Sequence, residues 1–207
     1  MEIVRENVSK IIKLDGRRVK SRQKLKKALA KILRTKSLEK ITIEEISKAA
    51  HVTRPTFYSN YKDLQAIAIE YVDELMQTLL EKFRTIDVDQ KLLPRQRVKV
   101  LLLYYIEMLQ ENDGILLSAA AGRAGNEALE LMRSYWMKMV LIRAEKVPHS
   151  GLSALDIEVS THFVAGAVNS VLEAHASGKL DMNAEEVAES ISLLINQGLG
   201  QTLGAID

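Results

Sequence analysis

The sequence predicts an all-α protein, an N-terminal helix-turn-helix head carried on a larger helical body. Three observations carry that prediction. Helix start signals recur along the chain, apolar residues keep a helical period almost throughout, and charge divides sharply between the two ends. Residues 1–65 hold 17 Lys+Arg against 7 Asp+Glu, a balance of +10, and the other 142 hold 12 against 20, a balance of −8, which recovers the formal net charge of +2. A basic head on an acidic body is the electrostatic footprint of a nucleic-acid binder, whereas a Lys-rich stretch alone is often only a solvated helix face.

The elements follow in order. Residues 1–17 form an extension or arm, with Ile3, Val4, Val8, Ile11, Ile12 and Leu14 as its apolar positions. A helix over residues 18–35 places Leu25, Leu29, Ile32 and Leu33 on one stripe. Its basic beginning, with Arg17, Arg18, Lys20 and Arg22, is placed to follow a phosphate backbone or enter a minor groove. The most informative stretch comes next, TIEEISKAAHVTRPTFYSNYKDLQAI from Thr42 to Ile67. Thr42 as N-cap with Glu45 at N3 reads as a capping box, and Ile41 and Ile46 as its hydrophobic staple. Ile43, Ile46, Ala49 and Ala50 give that short helix one small apolar face, and His51, Val52 and Thr53 break it. Thr53 caps a second short helix with Pro55 in its first turn, where a missing N–H costs little. That helix is too short and too polar to be core. Thr53, Arg54, Thr56 and Tyr58 crowd its outer side with donors suited to phosphates and base edges, while Phe57 turns inward. The unit of residues 18–65 reads as a DNA-binding helix-turn-helix presenting a recognition helix.

This stretch resembles the tetracycline-repressor (TetR-like) family of bacterial transcription regulators. The family pattern is matched without a gap at Thr42, Ile46, Ala50, Val52, Thr53, Thr56, Phe57, Tyr58, Tyr61 and Ile67. It departs at Ser47, where the family has Ala, at His51, where it has a turn Gly, and at Leu64, where it has a phosphate-binding Lys. Lys62 stands two residues before that position as a substitute. The motif covers about 50 residues; beyond it the likeness is architectural. The resemblance implies a sequence-specific regulator, a repressor that binds a palindromic operator on double-stranded DNA as a homodimer. Within it, Arg54 is the expected base reader, Tyr58 and Thr42 hold phosphates, Tyr61 and Lys62 brace the backbone, and Lys20 and Arg22 supply the arm. One short helix reads few base pairs, which independently favours two half-sites and a dimer.

Residues 66–207 make the body, expected to bind ligand and dimerise. A fourth helix from about residue 63 to 84 carries Ile67, Tyr71, Leu75, Leu79 and Leu80 inward and joins head to body. Further helices are predicted over residues 95–112, 115–121, 126–146, 157–177 and 184–199. Asp113 with Gly114, and residues 148–151, mark turns between them. Ser153 with Asp156, and Asn183 with Glu186, read as capping boxes, and Gly178 as a C-cap glycine. In the resembled family the last two helices pair with their copies in a four-helix bundle, and Ala165, Gly166 and Ala167 allow such close approach. The family also places a small-molecule effector among the middle helices, whose binding shifts the fourth helix and changes the spacing of the two heads. The corresponding lining would draw on Tyr104, Tyr105, Met108, Met132, Tyr135, Trp136, Met139, Phe163 and Asn169, and suits a small, mostly hydrophobic effector. The competing reading of those Met and aromatic stripes is plain core.

Other chemistry finds little support. The chain has no cysteine, which excludes disulfides, thiolate catalysis and Cys-based metal sites. It lacks a Gly-rich phosphate loop, an HExxH motif and a Gly-x-Ser-x-Gly elbow. Glu158 and His162 share one helical face, but no third ligand has matching spacing, so neither metal, cofactor nor enzymatic activity is expected. No apolar run marks a signal peptide or membrane span, so a cytoplasmic protein without membrane contact is expected. Two rival functions remain on sequence grounds: a ligand-independent dimeric regulator or architectural protein, and a basic module that binds acidic partners without base preference.

Overall fold

The computed structural model describes residues 2–89, 91–111, 114–144 and 154–199. Among these the chain forms helices α1 (Glu2–Leu33), α2 (Ile43–Ala49), α3 (Arg54–Tyr58), α4 (Leu64–Asp87), α5 (Pro94–Gln110), α6 (Ile115–Ala120), α7 (Asn126–Ala144), α8 (Ala154–Ala176) and α9 (Ala184–Leu194). No described helix is long and apolar enough to cross a membrane. Residues 2–17, read from sequence as an extension or arm, are continuous with α1, which runs unbroken through Gly16. The proposed Ser153–Asp156 box and the turn at residues 148–151 lie outside the described residues.

Capping fixes most of the other boundaries. Thr42 Oγ1 accepts from the Glu45 amide at 3.1 Å, Thr53 Oγ1 from the Thr56 amide at 3.3 Å, and Asp63 Oδ1 from the Ala66 amide at 2.7 Å. Asn183 and Glu186 complete a reciprocal box, at 3.0 and 2.8 Å. α5 starts one residue earlier than the sequence suggests, because Pro94 itself occupies its first turn and Gln96 reaches back to the Leu93 amide at 2.8 Å.

The turn between α2 and α3 is closed by two backbone bonds of Schellman type, Val52 N–H to the Ser47 carbonyl at 2.9 Å and His51 N–H to the Lys48 carbonyl at 3.2 Å. This geometry holds His51 at φ +52°, the conformation expected of the glycine that usually occupies such a position. A left-handed residue with a Cβ costs on the order of 1 kcal/mol, and the His51 side chain is exposed, so its removal sacrifices no packing. His51→Gly should therefore stabilise the head by about 0.5–1 kcal/mol, read as a higher denaturation midpoint. An unchanged or lower midpoint would mean that the turn carries no strain.

One continuous apolar core joins head and body. In the head it contains Leu25, Leu29 and Leu33 of α1, Ile46 of α2 and Phe57 of α3, all fully buried. It continues through α4 into Leu102, Tyr105 and Ile106 of α5, Ile115 and Leu116 of α6, and Met132 and Trp136 of α7. The inner face of α4 is rotated from the expected one. Ala68, Val72 and Met76 are its most buried positions with Ile67 and Leu79, while Tyr71 and Leu75 lie at the margin. α4 packs on α1 at one end and on α5 and α7 along the body, so one stripe cannot describe its covered surface. α9 lies along α5, tied by Lys99 to Glu185 at 2.8 Å and to Glu189 at 3.2 Å, and by an Arg95–Glu189 pair. α8 lies against α7 and leaves its opposite face uncovered.

Candidate nucleic-acid interface and effector core

Helix α3 separates core from surface within two residues. Phe57 is fully buried, and Tyr58 beside it is 59% exposed with its ring edge-on to Phe57 at 5.4 Å between centroids. Thr53 and Arg54 are exposed, and Thr56 half so. The Thr53 and Thr56 hydroxyls lie 2.8 Å apart, so one proton joins them and the other remains available to a ligand. Thr42, the α2 cap, is exposed as well; its oxygen is an acceptor in the cap, which leaves its O–H free to donate. At the foot of α4, Lys62 reaches into solvent with only a distant approach to Asp63, 3.9 Å. Lys20 is exposed on α1. Of these, Thr42, Thr53, Arg54 and Lys62 lie at or beside helix N-termini, whose free N–H groups also favour anions.

Two residues expected at the DNA surface are placed elsewhere. Arg22 does not belong to an arm. Its Nη1 donates to the Asn60 carbonyl at 2.8 Å, its Nε and Nη2 face the Glu70 carboxylate, and its guanidinium lies 4.2 Å above the centre of the Tyr61 ring. Tyr61, 4% exposed, donates to Glu70 Oε1 at 3.0 Å. Burial pushes its phenol up to about 12, so it stays a neutral donor. Lys26 joins the cluster at 2.7 Å from Glu70 and 2.6 Å from Glu74. The sequence showed an excess of cations, but not that two acids of α4, 48 residues away, draw some of them inward. Arg22 and Tyr61 fasten α1 to the start of α4 and so set the angle of the head.

The residues considered for an effector site separate in the same way. Tyr105, Met108, Met132, Trp136 and Met139 are buried together in the body core. Tyr105 meets Trp136 edge-on at 5.1 Å and donates to Met132 Sδ at 3.3 Å. Burial raises the Tyr105 phenol above its ordinary range. Trp136 Nε1 and Asn169 Oδ1 are buried without a partner in hydrogen-bond geometry, and the same holds for His175 Nδ1 and Ser192 Oγ. Tyr135 turns from Trp136 to donate to Asp73 of α4 at 2.6 Å, and burial with that bond raises its phenol to about 12. Tyr104 lies partly exposed beneath Lys82, 5.3 Å from its ring centre. Phe163 is no lining residue: it is 69% exposed on the outer face of α8. Among the described residues, no group of three or more His, Asp or Glu is placed to hold a metal ion.

No family model matches the sequence, and no curated protein matches it. Solved structures do match. The fatty acid degradation regulator FadR from Bacillus halodurans superposes with a TM-score of 0.67 at 15% identity, over 86% of this chain and 96% of its own. A TetR transcriptional regulator from Streptococcus agalactiae gives 0.64 at 19% identity, over 89% and 98%. The TetR-family repressor FadR from Thermus thermophilus, solved with lauroyl-CoA, gives 0.59 at 21% identity, over 86% and 94%. The chain therefore has the all-α fold of TetR-family transcription regulators along most of its length.

Proposed function

We propose that this chain is a TetR-type DNA-binding transcription regulator, a homodimer that reads a palindromic operator and releases it on taking up a small, mostly apolar effector. The observation that carries the reading is the side-chain division on α3. Phe57 anchors the helix from below while Thr53, Arg54 and Tyr58 stand clear of the surface, on a head with a balance of +10. Arg54 is the base reader, a guanidinium suited to paired bonds with a guanine. Tyr58, Thr42 and Lys62 hold phosphates, and Lys20 adds charge along the backbone.

The dimer forms through α8 and the end of α9. Leu155, Val159 and Phe163 repeat every four residues along α8 and are 60–69% exposed, and Leu194 on α9 is equally bare. Three large apolar side chains at helical spacing on α8, with a fourth on α9, are more than scattered surface hydrophobics require. For the effector, the Met and aromatic core around Tyr105 and Trp136, with the phenol and indole as polar handles, supports a mostly apolar ligand. A fatty acyl thioester is the first class to offer, by analogy with the lauroyl-CoA of the Thermus protein.

Selection from a random duplex library at physiological ionic strength tests the reading. A recovered palindrome supports it and supplies the probe for effector release. Binding with no motif, fading steeply with salt, would reduce the head to an electrostatic clamp. On the recovered operator, Arg54→Ala should cost about 1–3 kcal/mol and relax one base pair per half-site. Lys62→Ala should instead weaken all duplexes alike and flatten the salt slope by about one unit per head. Base preference left intact by Arg54→Ala would remove Arg54 from the reader's role.

A further inference from the structure

We propose that Glu44 is a specificity-determining residue, which positions Arg54 for base reading and opposes its use on phosphates. The inference rests on the DNA-binding reading above. Between residues 40 and 62 the chain holds only two acids, Glu44 and Glu45, both in the first turn of α2. Glu45 is committed elsewhere: it accepts from Lys36 Nζ at 2.7 Å, and that bond holds its carboxyl below the usual range. Glu44 instead stands beside the recognition helix, its Oε2 3.6 Å from Arg54 Nη2, with both side chains well exposed. A negative charge beside the reader of a DNA-binding head needs an explanation, because it lowers affinity for every phosphate nearby.

Arginine chemistry supplies one. A guanidinium carries five N–H donors in a rigid fork, and two of them satisfy a guanine edge. Others remain for a carboxylate, which can hold the fork in the plane that reading requires. Any register that lays Arg54 on a phosphate carries the Glu44 charge toward the same phosphate, so non-specific complexes are disfavoured. Glu44 thus exchanges raw affinity for discrimination, the repulsive element that specificity often needs. In water so exposed a pair is weak, which sets the expected effect at about three- to ten-fold rather than orders of magnitude.

The test compares wild type, Glu44→Gln, Arg54→Ala and the double variant, by duplex selection and by titration of an unrelated duplex. Glu44→Gln should raise non-specific affinity about three- to ten-fold, steepen the salt slope, and broaden preference at the base pair that Arg54→Ala relaxes. In the Arg54→Ala background the same change should leave base preference where it was. Unaltered preference in Glu44→Gln, with a clear wild-type motif, overturns the proposal while leaving the regulator reading intact. An equal loss of preference with or without Arg54 also overturns it, since Glu44 would then read a base by itself. A wild-type protein that recovers no motif removes both. Glu44→Ala, whose side chain cannot hydrogen-bond to Arg54, guards against a glutamine that still holds the fork.

Discussion

Phe57→Ala should open the head and abolish the proposed DNA binding while the body stays folded. α2 and α3 are 7 and 5 residues long, far below the length at which an isolated helix persists in water. What holds them is packing beneath them, and Phe57 is its largest fully buried contribution from α3. Truncating such a residue costs about 3–5 kcal/mol, the transfer of the ring plus the cavity it leaves. The loss falls on a small unit whose remaining anchors are Ile46, Leu25, Leu29 and Tyr61. Hydrogen exchange would localise it: amides of residues 42–61 should lose protection, while those of α5 and α7 keep theirs. The single tryptophan, Trp136, lies in the body core and provides a second reading, since its unfolding transition should move much less than the helical signal of the head. Protection lost evenly across the chain would show that head and body unfold as one unit, and unaltered protection at residues 42–61 would show that Phe57 is not the anchor.

That division was legible beforehand because it depends on local rules. The caps at Thr42, Thr53 and Asn183 are satisfied by their own neighbours in sequence, and the structure shows all three. The αL position at His51 follows from the register of the turn, whatever residue occupies it. What was not legible depends on which surfaces meet. A stripe of apolar residues says that a helix has a covered side, not that α4 has two neighbours and α8 a second apolar face. The sequence therefore offers Phe163 as a candidate lining or core residue, whereas the register of α8 points it out. Charge counting has the same limit. Seventeen cations among the first 65 residues say that the head is basic, but Glu70 and Glu74 decide that Arg22 and Lys26 hold it to α4. Tyr61 fits the DNA-binding motif in sequence and is nonetheless a buried donor, because the motif also carries the residues that build the head. Matching a pattern cannot separate the two roles; exposure can.

In the dimer proposed above, Phe163→Glu should separate the two protomers and, through that, remove the proposed operator binding without touching the head. Phe163 is 69% exposed, so a glutamate there meets water in the isolated protomer and leaves the α8 core untouched. In a two-fold interface the effect is doubled. The same surface appears on both subunits, so one substitution buries two carboxylates near one another and removes two aromatic anchors. Anchors of that kind cost at least about 2 kcal/mol each on truncation, so dimer dissociation should rise by about a thousand-fold or more. Gly166, one turn further on, has open space above it, which lets a partner helix approach the backbone closely. Sedimentation at micromolar protein should show a single species near 23.2 kDa, with an unchanged helical signal. A species that stays at twice that mass would move the interface away from this face of α8. The consequence for DNA follows from geometry. A five-residue recognition helix contacts a few base pairs, and one half-site offers too little energy to stand out from competing sequence. The monomer should retain salt-sensitive, non-specific affinity from its intact basic head and lose the operator. That outcome would place sequence discrimination in the pairing of two heads, and pairing is the quantity the proposed effector would have to alter.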